Sequence, residues 1–130
     1  MNNRAELRRN LRFFSLVALL GISALLLSAC GSNPSAITTL DSKAFSEKIK
    51  DPSIVILDVR TPGEFMTGHI ANAMNIDVES STFESEISKL DKSKSYAVYC
   101  HSGRRSGIAT TTMAKVGFTH LYNLDHGLAG

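Results

Sequence analysis

The sequence predicts an α/β domain built on a parallel sheet of about five strands with helices on both faces. Two observations carry this expectation. Short runs of β-branched, aliphatic or aromatic residues alternate with segments of helical period from residue 37 to 124, which is the pattern of a parallel sheet with crossover helices. Two of those runs, Ile54-Val55-Ile56-Leu57 and Tyr96-Ala97-Val98-Tyr99, contain no charged residue and no polar-facing alternation, as expected of strands covered on both sides. The 130-residue length suits one domain, and 43% hydrophobic with 20% charged residues excludes wholesale disorder.

Taken in order, Ile37 to Leu40 is a short strand. Asp41 or Ser42 caps a helix reaching about Lys50, with Phe45 and Ile49 four apart on its buried side. Asp51-Pro52-Ser53 turns the chain into the strand Ile54–Leu57. Pro62 suits a first helical position and Gly68 a stop, giving one short helix from Pro62 to Thr67. Ala73 to Ile76 is a further short strand. Phe83, Ile87 and Leu90 at i, i+4 and i+7 mark an amphipathic helix. Tyr96 to Tyr99 is the second central strand, with Cys100 at its C-terminal end. A helix from Arg105 or Ser106 to Val116 follows, with Ile108, Ala109, Met113 and Val116 as its apolar positions and Gly117 as its cap. His120 to Leu124 is the last strand.

The N-terminal 29 residues have a different character. They hold Arg4, Arg8, Arg9 and Arg12 against Glu6, a local charge of +3. Subtracting them from 14 basic and 12 acidic residues leaves 10 and 11, so the remainder carries −1 and gives no reason to expect a nucleic-acid partner. Phe13 to Ala29 then runs 17 residues without a charge, short for a membrane span of about 20 residues and typical of an export signal. Leu27-Ser28-Ala29-Cys30 resembles the bacterial lipobox. That resemblance implies cleavage before Cys30 and attachment of lipid, palmitate included, to Cys30. Several acyl chains would anchor the protein firmly where one would be marginal. The expected organisation is a lipoprotein signal peptide over 1–29, a lipidated Cys30 and flexible tether over 30–36, and a folded domain over 37–130. Its place is the bacterial cell envelope, with the domain on the extracytoplasmic side.

The segment Cys100-His101-Ser102-Gly103-Arg104-Arg105 carries the chemistry. It joins the end of a central strand to a helix, and ligands of parallel sheets gather beyond the C-terminal strand ends. A loop of this length can turn successive backbone N–H groups inward toward an anion at a helix N-terminus. Gly103 permits the backbone angle this needs, and Arg104 and Arg105 add positive charge. Such surroundings lower a cysteine pKa, so Cys100 is read as a nucleophile. The alternative is an inert cysteine buried at a strand end.

In their order and spacing these pieces resemble a single-domain rhodanese, a sulfurtransferase module, over about residues 37–127. Ile56-Leu57-Asp58-Val59-Arg60 is similar to the family's strand ending in Asp-Val-Arg. Glu64-Phe65 with Gly68-His69-Ile70 is similar to its Glu-Phe…Gly-His-Ile segment, and Ala73-Met74-Asn75-Ile76 to the strand that follows. Cys100 to Arg105 matches the family's six-residue active loop in length. Two departures stand out. Ala71-Asn72 replaces Pro-Gly, where Asn still tolerates a left-handed backbone, and His126-Gly127 replaces a late Gly-Gly pair.

The resemblance implies that Cys100 takes a sulfane sulfur from an anionic donor such as thiosulfate, becomes a persulfide, and passes the sulfur to cyanide or a thiol. The N–H groups of His101, Ser102, Gly103, Arg104 and Arg105 would stabilise the sulfur anion, and the two arginines would draw in an oxyanionic donor. Asp58 and Arg60 are supporting residues, tying loops together or reaching substrate. Glu64 and His69 are read as scaffold, and His101 either contacts substrate or faces solvent. No cofactor and no metal are expected, since no His/Cys/Asp set has ligand spacing, and the protein is expected to be a monomer. The rival readings are a non-catalytic, redox or sulfide-sensing module of the same fold and, further off, a phosphatase or arsenate reductase. The related phosphatases place Arg six positions after Cys; here that position is Ser106.

Overall fold

The computed structural model describes residues 35–130. The leader at 1–29, Cys30 and the tether as far as residue 34 lie outside the described residues. Five strands, β1 (Ile37–Leu40), β2 (Ile54–Asp58), β3 (Met74–Asn75), β4 (Ser95–Tyr99) and β5 (Leu121–Leu124), form one sheet in the order β1-β5-β4-β2-β3. Every pairing is parallel. The helices are α1 (Ser42–Lys48), α2 (Pro62–Thr67), α3 (Phe83–Ile87) and α4 (Arg104–Lys115), followed by a 3₁₀ turn at Gly127–Ala129. Among the described residues no helix is long and apolar enough to cross a membrane.

Both faces of the sheet are covered, because successive strand residues point to opposite sides. Leu57, Tyr96, Val98 and Leu121 pack with Phe83, Ile87, Ala109, Met113 and Phe118 on one face. Ile56, Ala97, Tyr99 and Leu124 pack with Phe45 on the other. The central β4 contributes four fully or almost fully buried residues in a row, from Tyr96 to Tyr99. That accounts for its lack of an alternating pattern.

Local chemistry sets the element ends. Asp41 caps α1 by accepting from the Ala44 N–H at 2.7 Å. Thr61 and Glu64 form a reciprocal capping box on α2. Asn72 takes the left-handed conformation, φ 65°, so the turn before β3 survives without glycine. After α4, Gly117 at φ 105° lets the Phe118 N–H reach back to the Met113 carbonyl, the return bond of a Schellman ending.

Several boundaries differ from the sequence reading, each for a visible reason. The helix α3 ends at Ile87, and Leu90 packs on the core from the turn beyond it. The strand β3 is only two residues because it is an edge strand pairing with the end of β2 alone. The helix α4 starts at Arg104, and its inward stripe is Ser106, Ala109, Thr110 and Met113. Ile108 and Val116, expected to face inward, are exposed. The stripe is set by Ser106, and Thr110 enters it because its hydroxyl is satisfied by the Ser106 carbonyl at 2.9 Å.

Candidate active site at the β4–α4 loop

The site begins where β4 ends. Cys100 follows the last strand residue and is fully buried. The chain then turns through His101 and Ser102, both exposed, to Gly103 at φ 88°, the N-cap of α4. That left-handed residue turns its own N–H back onto the sulfur, at 3.0 Å from Cys100 Sγ. Glycine is required here twice over. The angle is costly for other residues, and a Cβ would sit 3.0 Å from the backbone nitrogen of His126.

Ser106, one turn into α4, completes the surroundings of the sulfur. Its Oγ lies 3.5 Å from Cys100 Sγ and 3.1 Å from the Gly103 carbonyl, so its one proton rests on that carbonyl while the hydroxyl accepts from the thiol, and turns to the sulfur when the thiol ionises. Burial pushes the Cys100 pKa up, but the Ser106 hydroxyl and the backbone N–H groups of Ser106, Ser102 and Gly103 more than offset it, and the net direction is down. In the sequence Ser106 stands out only as a possible helix start and as the position six after Cys100. Its role is visible once the helix shows it turned inward with no exposed surface.

The two loop arginines, alike in sequence, are held differently. The Arg105 guanidinium is largely covered and donates two parallel hydrogen bonds to Glu64, each 2.7 Å, with Glu79 a further carboxylate at 3.6 Å. Arg104 is exposed, with Glu79 at 3.9 Å. The expected doubly cationic loop is therefore compensated by two carboxylates. Glu64, read as scaffold, links the loop to the N-terminus of α2, and its pKa is lowered to about 2, chiefly by Arg105.

Asp58 and Arg60 stand at the same end of the sheet but bond to each other. Arg60 donates to both Asp58 oxygens at 2.6–3.0 Å and to the Gly68 carbonyl at 2.7 Å. Asn75 donates to the backbone carbonyls of both residues. The Arg60 guanidinium also lies over the Tyr99 ring, 5.7 Å from its centroid. Burial pushes the Tyr99 hydroxyl pKa up to about 12, and it accepts from the Ile70 N–H. None of these bonds reaches Cys100, which fits the loop-tying role. His69 stacks on Phe65 with ring centroids 3.6 Å apart, and its Nδ1 lies 2.9 Å from the Phe65 carbonyl.

A loop of this construction stabilises an anionic sulfur with backbone and hydroxyl donors, which is what a sulfur nucleophile or a persulfide needs. Comparison with known proteins agrees in kind. The model of the Rhodanese-like domain matches residues 41–130. The chain is 35% identical over 97 residues to a Bacillus subtilis protein named as a sulfur carrier, covering 74% of this chain and 51% of that one. It is 33% identical over 95 residues to the tRNA uridine(34) hydroxylase of Legionella pneumophila, covering 70% of this chain and 37% of that one. The chain thus spans about half, or less, of the curated relatives it matches. Among solved structures it is similar to a rhodanese-related protein from Thermoplasma volcanium (TM-score 0.61, 31% identity, 70% of this chain and 86% of that one). A rhodanese-like domain from Anabaena is similar to the same degree (TM-score 0.61, 29% identity, 70% of each chain).

Proposed function

Starting from a chain that belongs to the rhodanese-like domain family, we propose that it is a sulfurtransferase working through a persulfide on Cys100. The observation that carries the reading is the Gly103 N–H held 3.0 Å from Cys100 Sγ at the N-terminus of α4. In the first step the Cys100 thiolate attacks the outer sulfur of a donor such as thiosulfate. A new S–S bond forms, the donor's S–S bond breaks, and sulfite leaves with the electron pair. In the second step cyanide or a thiolate attacks the outer sulfur of the persulfide, and the Cys100 thiolate is the leaving group. Splitting the transfer this way is covalent catalysis, and each step ends with negative charge on a sulfur that faces N–H donors.

Cys100 has no exposed surface, so the reading includes a local opening of the loop rim at His101 and Ser102 when a donor arrives. The exposed Arg104, rather than the paired Arg105, attracts the anion. The lipidated Cys30, with the leader before it and a short tether behind it, would hold the domain on the extracytoplasmic side of a bacterial membrane. A thiosulfate:cyanide assay on the protein beside its Cys100→Ala variant tests the reading. Turnover in the parent and none in the variant is expected, and equal rates would overturn it.

A further inference from the structure

We propose that the C-terminal 3₁₀ turn is a positioning element for the sulfur: the Ala129 N–H, acting through the His101–Ser102 peptide, aims the Ser102 amide at Cys100. This rests on the reading of Cys100 as the nucleophile.

The turn and the loop meet backbone to backbone. The Leu128 N–H donates to the Cys100 carbonyl at 3.0 Å, and the Ala129 N–H donates to the His101 carbonyl at 2.9 Å. A Cβ on Gly127, which is left-handed at φ 60°, would lie 2.5 Å from the Cys100 oxygen and from the His101 carbon and oxygen. A Cβ on Gly103 would meet His126 backbone from the other side, at 3.0 Å. Two glycines thus face each other's segments, and no side chain fits between them.

The geometry of the peptide unit gives this contact its consequence. The C=O and N–H of a trans peptide point in opposite directions across a rigid plane. Holding the His101 carbonyl toward the tail therefore turns the Ser102 N–H away from the tail and into the loop. That same Ser102 amide is among the groups that lower the Cys100 pKa. A donor on the carbonyl also polarises the amide at the other end of the plane. The Leu128 bond acts likewise on the peptide that carries the His101 N–H. The bonds that reach the loop come from the backbone N–H groups of Leu128 and Ala129, so this contribution is a main-chain one. Alanine substitutions along the tail would not detect it.

Proline at 129 removes the N–H. The Ala129→Pro variant is compared with the parent by alkylation of Cys100 across pH, read on the Cys100 peptide by mass spectrometry so that Cys30 does not interfere. The midpoint is expected to rise by about 0.5 to 1, with alkylation at neutral pH slower by roughly two- to tenfold. The conservative Ala129→Gly variant keeps the N–H and the parent's profile. A folded Ala129→Pro protein with an unchanged midpoint would overturn the proposal, even if its thermal midpoint fell, because the tail would then be support alone. Should that variant not fold, a chain ended after Leu128 lacks the same donor and is read in the same way. Alkylation needs no sulfur donor, so a parent that alkylates as expected but transfers no sulfur would count against the proposed function and leave this proposal standing.

Discussion

Arg105 and Glu64, 41 residues apart in the chain, are joined by two parallel hydrogen bonds of 2.7 Å. One Glu64 oxygen also accepts from the Thr61 N–H and hydroxyl at the start of α2. A single carboxylate thus finishes the cap of one helix and fixes the first turn of another. The paired geometry suits guanidinium to carboxylate. It ties the loop around Cys100 to the loop that follows β2 and takes most of Arg105's charge out of play for a donor.

This pair has a pH signature. Glu64 has its pKa lowered to about 2 from 4.5, first through Arg105. A depressed carboxylate pKa adds stability that is fully present above the unfolded value and is lost as pH falls through the folded one. The parent should therefore lose stability between about pH 4.5 and 2 through this group. The Glu64→Gln variant should be less stable at neutral pH and show a shallower loss over that window. Urea midpoints measured at several pH values check this; parallel curves would contradict it.

Glu79 makes looser contacts with both arginines, at 3.6 and 3.9 Å, on the surface. Replacing it with Gln leaves Arg104 without its nearest carboxylate. The KM for thiosulfate should fall by roughly two- to fivefold at low ionic strength with kcat little changed. The difference should fade as salt shortens the Debye length from about 10 Å at 0.1 M to about 3 Å at 1 M. Steady-state kinetics at two salt concentrations decide the matter.

Ser106 is predicted to act on the sulfur directly. In the Ser106→Ala variant the Cys100 pKa should rise, since the hydroxyl is the largest of the influences lowering it. Alkylation at neutral pH should slow by roughly three- to tenfold. An unchanged alkylation profile would reduce Ser106 to a packing and capping role.

Arg60 tests the division between scaffold and site. Its pair with Asp58 is buried on both sides, with side-chain exposures of 7% and 0%. Removing one partner leaves a buried charge uncompensated, which costs about 3–5 kcal/mol. The Arg60→Met variant should lose stability on that scale, while the folded fraction keeps the parent's Cys100 alkylation profile. A normal stability with a lost thiosulfate KM would instead make Arg60 a substrate contact.

Much of the fold is legible in the sequence because its signals are local. Pro62 and Gly68 bracket α2, Asp41 caps α1, and the continuous apolar runs of β2 and β4 mark the buried strands. The six residues from Cys100 to Arg105 mark the loop. Tertiary matters are not legible in this way. The partner of Arg105 lies 41 residues upstream, at no spacing that a helix or strand would suggest. The inward stripe of α4 includes Ser106 and Thr110 because hydrogen bonds satisfy them there, so hydrophobicity alone misplaces Ile108. The turn at Gly127–Ala129 has no periodicity, and His126 enters it at φ 56°, a conformation that histidine does not announce.

In the proposed reaction Cys100 carries the transferred sulfur. Mass spectrometry of the intact protein and of its Cys100 peptide after incubation with thiosulfate and removal of excess donor tests it most directly. The Cys100 peptide should gain the mass of one sulfur atom and lose it again when cyanide is added, with thiocyanate formed in equal amount. A Cys100 peptide that stays unmodified while thiocyanate still accumulates would contradict it.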